Sequence, residues 1–489
     1  MPTAPDRRVV PYQRPNVLLI HTDQHRYDAV GANGSDVVQT PNLDRLAAEG
    51  VAFDHYFVNT PLCMPSRESY LTGQYPSQLD IYTNGIELPE SVPTLPEFLD
   101  NYGYHSANLG KLHFLTHANR DHRETHPKYG FDRLEISDEP GPYPDAYRAW
   151  VEKRDPGALD DVSLGVPPAA RDFHRDTGVG DIDHLDPRYT TEPRPFPADA
   201  DLTHSTFVAD RTIEYLESRA DREPFLAVAG FYSPHSPWVA PQEYLDLYDR
   251  EEVPVPDFPP EVEAEREAIA EREHADDPTT ETFTDAEIRA VRHGYYAMVS
   301  EVDYHVGRIL DRLDELGVAD DTVVVFTSDH GDWLGEFLRY TKGWPAEDAI
   351  TRVPCLVRWP DGVEDPGRRV DDIVEAVDLV PTILDAAGIQ RPPHLLGESL
   401  LPALTRTGSV GRDAALVEDV NGKALRTEEY RYLLHADGRE ELFDLTAEYH
   451  EYRDVSGDHP DVVADHRKRL LDRLTEIDVE SQREVDFPY

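Results

Sequence analysis

The sequence predicts an α/β fold: a large, mainly parallel sheet flanked by helices, with a small antiparallel sheet added at its C-terminal end. Three observations carry that prediction. Residues 17–20 (VLLI) and 322–326 (TVVVF) are short unbroken apolar runs, the pattern of strands buried on both faces of a parallel sheet. Helix, turn and strand signals follow one another over residues 295–326, as parallel strand connections require. After about residue 408 the pattern changes to short alternating pieces, ALVEDV, YRYLLHA and EELFDL, ahead of a closing helix in DVVADHRKRLLDRLTEI.

Taken in order, the strand at 17–20 opens into the polar run HTDQH. TPNLDRLAAEG then reads as a helix, with Thr40 or Asn42 as its cap and Gly50 as its stop. In PLCMPSRESYLTG, Pro65 suits a first helical turn and Gly73 an end, which sets Cys63 at a helix N-terminus. Thr94 and Glu97 have capping-box spacing before a helix that ends near Gly103. Met298, Val302, Val306, Ile309, Leu313 and Leu316 recur every three or four residues, so 295–316 is an amphipathic helix closed by Gly317. Residues 135–200, rich in Pro, Asp and Arg, and the acidic residues 250–285 lack such periodicity and read as surface insertions at the rim of a site. These signals divide the chain into a main domain of residues 1–408 and a small α+β unit of residues 409–489.

Charge narrows the function classes. The 489 residues include 47 Lys and Arg against 96 Asp and Glu, a net charge of −49. Such a chain does not bind nucleic acid or an anionic membrane through bulk charge. Its acids are dispersed and its lysines few, a composition that reads as the halophile type, suited to molar salt, where the Debye length falls to about 3 Å, with an acidic mesophilic protein as the alternative. Two cysteines cannot build a disulfide framework. MPTAPDRRVVPYQRPN lacks the apolar core of a signal peptide, no hydrophobic stretch follows Arg7 and Arg8, and nowhere do about 18 apolar residues run together. The expectation is a cytoplasmic protein with no membrane span.

Active sites in open α/β sheets lie past the carboxyl ends of the strands. VLLIHTDQH leaves Asp23 and Gln24 at such an end, and VVVFTSDHGD leaves Asp329 and His330 at another. Either pair alone reads as loop capping. Together they offer two carboxylates, an amide oxygen and an imidazole, a donor set for one divalent cation such as Ca²⁺, Mg²⁺ or Mn²⁺. Cys63, with Arg67 one turn further on, occupies a helix start that favours negative charge. A thiolate would exploit that position, but a carboxylate-rich site for a hard metal calls for an oxygen nucleophile.

At this point the residues carry a resemblance. CMPSR, with LTG downstream, is similar to the type I sulfatase signature Cys-x-Pro-Ser-Arg, at Cys63, Pro65, Ser66, Arg67 and residues 71–73. Asp23-Gln24, GKLHF at 110–114, SPHSPWVAP at 233–241, SDHGDWLGE at 328–336 and Lys342 ahead of RVPCLVRWP follow in the family's order, from about residue 14 to 400. ELFDLTAEYHE resembles the family's C-terminal segment. The resemblance implies an alkaline-phosphatase-like fold and one divalent metal held by Asp23, Gln24, Asp329, His330 and residue 63. It implies that Cys63 is converted to Cα-formylglycine, hydrated to a geminal diol, by a formylglycine-generating enzyme that Pro65, Ser66 and Arg67 would attract. It also implies hydrolysis of a small-molecule or glycan sulfate ester. On that resemblance a diol hydroxyl would attack sulfur, while Arg67, Lys111 and Lys342 would neutralise the sulfuryl oxygens. His235, with Lys342, would protonate the leaving oxygen, and His113 would take the second hydroxyl's proton so that sulfate departs.

Lys111 and His113, at i and i+2, read as one face of a strand. Asn84 is a weaker candidate for touching substrate. His21, His25, His117, His122 and His126 read as solvated or structural, and Cys355 as packed in a strand. Many arylsulfatases carry Asp-Asp and Asp-Asn where this chain has Asp23-Gln24 and Asp329-His330. That variant resembles phosphonate monoester hydrolases and choline-sulfatase-like enzymes, and an imidazole ligand tilts the metal from Ca²⁺ towards Mn²⁺. A phosphonate monoester or phosphodiester hydrolase is therefore the alternative activity, and an inactive binding protein on this scaffold is a third reading.

Overall fold

Eight segments form the main sheet: Asn16–Thr22 (β1), Val51–Phe57 (β2), His105–Gly110 (β3), Arg133–Ile136 (β4), Phe225–Gly230 (β5), Thr322–Ser328 (β6), Leu356–Arg358 (β7) and Arg368–Glu375 (β8). They lie in the order β8-β2-β7-β6-β1-β5-β3-β4. β7 runs antiparallel to both neighbours, and the other pairs are parallel. The computed structural model describes residues 14–116, 126–165, 191–220, 222–273 and 283–481.

β1 sits centrally, with Val17 opposite both Val323 of β6 and Leu226 of β5. Its unbroken apolar run is needed because each face meets a different core. Val17 and Leu19 join Leu226, Val228, Val323 and Val325 on one side. Leu18 and Ile20 join Ala227, Ala229, Val324 and Phe326 on the other. Burying each Val or Leu contributes about 1.5–3 kcal/mol, so this double-sided strand anchors the fold.

Helix Pro41–Glu49 (α1) covers the second core between the expected cap Thr40 and stop Gly50, but the Thr40 side chain does not make the capping bond. The Thr40 hydroxyl accepts from the Gly31 amide at 2.8 Å, while Asp303 accepts from the amides of Asn42 at 3.0 Å and Leu43 at 2.7 Å. Helix Cys63–Thr72 (α2) lies on the opposite face, with Tyr70 and Leu71 in the first core. Glu97 accepts from the Thr94 amide at 3.1 Å, as its spacing predicts, although that helix already stops at Asp100. Helix Asp285–Leu316 (α3) starts ten residues before its apolar period suggests. Its first turns bury Ile288 against Gly335 and Val291 in a separate cluster with Trp238 and Leu334, so the stripe changes direction. Gly317 ends the helix at φ 68.

Neither predicted insertion is a bare loop. Helix Ala146–Arg154 buries Tyr147, Trp150 and Val151 in the second core, and Pro260–Glu273 is also helical. Parts of both segments, 166–190 and 274–282, lie outside the described residues. Towards the C-terminus Ala414–Asp419, Gly422–Thr427, Tyr430–His435 and Glu440–Asp444 form an antiparallel sheet in sequence order. The strand Gly422–Thr427 escaped the pattern reading, since GKALRT does not alternate. Helix Pro460–Ser481 supplies Val463, Leu470 and Ile477 to the same core as Leu416, Leu425, Tyr432 and Leu442. Among the described residues no helix is long and apolar enough to cross a membrane.

Candidate active site

The parallel register sets Thr22 opposite Ser328, so Asp23 and Asp329 leave adjacent strands at one level. The two loops are then stitched together. Gln24, at φ 72, donates its amide to Asp329 Oδ1 at 3.0 Å, and the His25 amide donates to Ser328 Oγ at 2.9 Å. The left-handed backbone at Gln24 is costly for a side-chain-bearing residue and is held by these bonds.

α2 delivers the next groups. Cys63 is its first residue, and Ser66 Oγ donates to the Asp329 carbonyl at 2.7 Å, fixing the helix start to the end of β6. Arg67 is wholly buried and spans both carboxylates, with Nε 2.8 Å from Asp329 Oδ2 and Nη2 3.1 Å from Asp23 Oδ2. A planar guanidinium makes this bridge where an ammonium reaches a single point. Lys111 Nζ approaches Asp23 Oδ2 to 2.7 Å and sits 4.7 Å above the Tyr232 ring.

Cys63 Sγ lies 3.2 Å from His330 Nε2, 2.6 Å from Lys342 Nζ and 4.0 Å from Asp23 Oδ1. Lys342 Nζ also donates to Gln24 Oε1 at 3.2 Å. Ligand atoms of Asp23, Cys63, Asp329 and His330 all lie within 4.8 Å of one another. Oxygen ligands across a Ca²⁺-sized ion, each at 2.3–2.6 Å, stand about 5 Å apart, so the set fits one divalent cation. The Lys342 ammonium already shows that this spot attracts positive charge.

The electrostatics agree. Burial raises the Asp23 carboxyl, but Lys111, Lys342, His235 and Arg67 outweigh it and hold it well below the usual range. Burial and Asp23 push the Cys63 thiol up, and Lys342 and His330 pull it down further, for a net fall. Burial lowers His330, while Asp329 raises it above its ordinary value.

His113 and His235 belong to the loops that flank this cluster. The strand expected to carry Lys111 and His113 stops at Gly110, whose φ of 102 and approach to the Gly230 carbonyl leave no room for a side chain. Lys111 and His113 therefore stand in a loop, and alternation does not relate them. The amides of Leu112 and His113 both donate to Asp138 Oδ1, at 2.9 and 2.8 Å, holding His113 at φ 62. His235 Nδ1 lies 2.6 Å from the Ser236 carbonyl and 3.0 Å from the Tyr232 hydroxyl. A carbonyl only accepts, so Nδ1 carries a proton there.

Asn84 Oδ1 accepts from the Met64 amide at 3.0 Å, which makes it part of the α2 start. His21 is buried against Tyr70, with ring centroids 4.8 Å apart, and His25 Nε2 meets the Ala29 carbonyl at 3.1 Å. His126 Nδ1 meets the Pro127 carbonyl at 2.6 Å, and His117 and His122 lie outside the described residues. Cys355 is buried just ahead of β7, where its carbonyl accepts from the Phe53 amide at 3.0 Å. The pattern reading missed Asp138, Tyr232 and Asp332. A signal for Asp332 was present, since SDHGD repeats an acid three residues after Asp329.

The sequence pattern of the family described as Sulfatase matches residues 15–389, most of the chain. The chain belongs to the sulfatase family. A second pattern, N-sulphoglucosamine sulphohydrolase, C-terminal, matches residues 335–480. This sulfatase is 28% identical over 447 residues to an arylsulfatase of Clostridium perfringens (strain 13 / Type A), covering 88% of each chain. It is 30% identical over 449 residues to a choline-sulfatase of Rhizobium meliloti (strain 1021), covering 89% of this chain and 81% of that one. The solved phosphonate monoester hydrolase of Agrobacterium radiobacter superposes with a TM-score of 0.79 at 26% identity, over 95% of this chain and 96% of that one. The fold is thus alkaline-phosphatase-like, and the sulfatase is a sulfuric ester hydrolase.

Proposed function

We propose that this sulfatase hydrolyses a small-molecule or glycan sulfate ester at residue 63, converted to formylglycine, beside one divalent cation held by Asp23, Gln24, Asp329 and His330. The observation that carries this reading is the convergence of Asp23, Cys63, Asp329 and His330 within 4.8 Å, ringed by Arg67, Lys111 and Lys342. A cation bound there supplies Lewis acidity towards a sulfuryl oxygen and eases ionisation of a hydroxyl at position 63. The hydrated aldehyde offers two hydroxyls, one to attack sulfur and one through which sulfate is released.

The chain's own residues do the rest. Arg67, fixed by two carboxylates, and the two lysines hold the anionic oxygens and neutralise charge as it shifts. As an imidazolium, His235 keeps its Nδ1 proton on the Ser236 carbonyl, which orients the ring so that the proton on Nε2 can pass to the leaving alcohol oxygen, with Lys342 assisting. His113, braced through Asp138, takes the proton of the second hydroxyl. Every residue of α2 is buried, so a formylglycine-generating enzyme has to read Cys63, Pro65, Ser66 and Arg67 before the chain folds.

Mn²⁺ suits the imidazole-bearing ligand set better than Ca²⁺. The same ligand set and the likeness to a phosphonate monoester hydrolase support a second activity on aryl phosphonate monoesters. Side-by-side kcat/KM values on an aryl sulfate and an aryl phosphonate monoester separate the two. Sulfate is expected to be the better substrate by a wide margin, and faster phosphonate turnover would reverse the order of the two activities.

A further inference from the structure

We propose that Asp332 is a positioning residue that turns the Gln24 amide oxygen towards the cation site and, through the same carboxylate, closes the loop that delivers Lys342. The proposal rests on the reading of Gln24 as a cation ligand. A glutamine amide has two ends of nearly equal shape, of which only the oxygen can face a cation. Asp332 decides between them. Gln24 Nε2 donates to Asp332 Oδ2, and Gln24 Oε1 is thereby left facing Lys342 Nζ at 3.2 Å. The reversed amide would set an oxygen against a wholly buried carboxylate and an NH₂ against an ammonium.

The other carboxylate oxygen, Oδ1, accepts from the amides of Leu334 at 2.8 Å and Thr341 at 3.0 Å. These two bonds pin both ends of a loop in which Leu334, Phe337, Leu338 and Thr341 all adopt positive φ. Such a backbone needs outside anchors to persist. Lys342 follows directly, so Gln24 Oε1 and Lys342 Nζ meet because one side chain places both.

The test measures Mn²⁺ binding by calorimetry to the full-length protein after chelator treatment. Asp332→Asn keeps an oxygen for the Leu334 and Thr341 amides but turns an NH₂ towards Gln24, which must then rotate its own oxygen away. Affinity is expected to fall about ten- to hundredfold. Gln24→Ala is expected to weaken binding in the wild-type background and to cost nothing further in the Asp332→Asn background. Equal costs in both backgrounds would overturn the proposal, because a mere loss of charge at position 332 adds to the loss of a ligand. Unchanged binding in Asp332→Asn, while Gln24→Ala binds weakly, would overturn it too. If Gln24→Ala binds Mn²⁺ like wild type, the ligand reading of Gln24 is what fails.

Asp332→Asn combined with Gln24→Glu restores a complementary pair, with the new amide donating to one carboxylate oxygen and the other facing the cation. Binding near the wild-type level supports the proposal even where Asp332→Asn alone does not fold. A double variant that folds but binds weakly, or that does not fold, assigns Asp332 to the loop alone and overturns it.

Discussion

Glu68 shares α2 with Cys63 and has no access to water, and burial, outweighing a backbone hydrogen bond at Leu88, pushes its carboxyl up to about 9. A folded-state value above the ordinary 4.5 means that its contribution to stability is complete below about pH 4.5 and is lost as pH rises towards 9. Glu68→Gln removes that loss. Its urea midpoint is expected to exceed the wild-type value at pH 8, by an amount equivalent to about 1–3 kcal/mol, with the gap widening between pH 5 and 9. A gap that narrows with rising pH would contradict the assignment. At this scale the convergence of Asp23, Asp329 and His330 on Cys63 was legible, because strand ends and a short signature are local. Asp332 showed only as the repeated acid of SDHGD, with nothing to tie it to a side chain 308 positions away, and Asp138 left no signal, since it braces a loop 25 positions away through backbone amides. The strand reading of Lys111 and His113 failed on one residue, Gly110, where the chain turns left-handed.

The loop bearing Lys342 is held from outside by the C-terminal sheet. Trp344 Nε1 donates to His435 Nδ1 at 3.0 Å, Arg431 Nη1 donates to the Pro345 carbonyl at 2.6 Å, and Phe337 stacks on Tyr452 with centroids 4.3 Å apart. An element distant in sequence thus sets the position of a cation beside Cys63. Trp344→Ala is expected to lower kcat/KM by about ten- to hundredfold, as a displacement near 1 Å would. The main thermal transition should shift only slightly, because β1 and its neighbours are untouched; unchanged kinetics would refute the coupling. Strands buried on both faces were readable as apolar runs. The start of α3 was not, because its apolar face turns from one core to another; the cap position Thr40 of α1 was, but not the capping carboxylate, which Asp303 supplies from 261 positions away.

For the whole molecule, a net charge of −49 makes self-repulsion a term that salt controls. The unfolding temperature is expected to rise steadily in KCl from about 0.1 to 1 M, over which the Debye length shrinks from about 10 to 3 Å. A flat or falling curve would remove the argument for a chain adapted to brine. Helix and strand alternation, together with two apolar runs, sufficed for the α/β class, whereas the packing of the C-terminal sheet against the Lys342 loop left no trace in any local pattern. The claim joining all scales is that turnover depends on an aldehyde at position 63. Peptide mass spectrometry of protein from its native host, with sulfatase activity measured on the same samples, tests it directly. Activity per mole should track the fraction of residue 63 carrying formylglycine and vanish where all of it is cysteine. Full sulfate ester turnover by protein holding an unconverted Cys63 thiol would contradict the account.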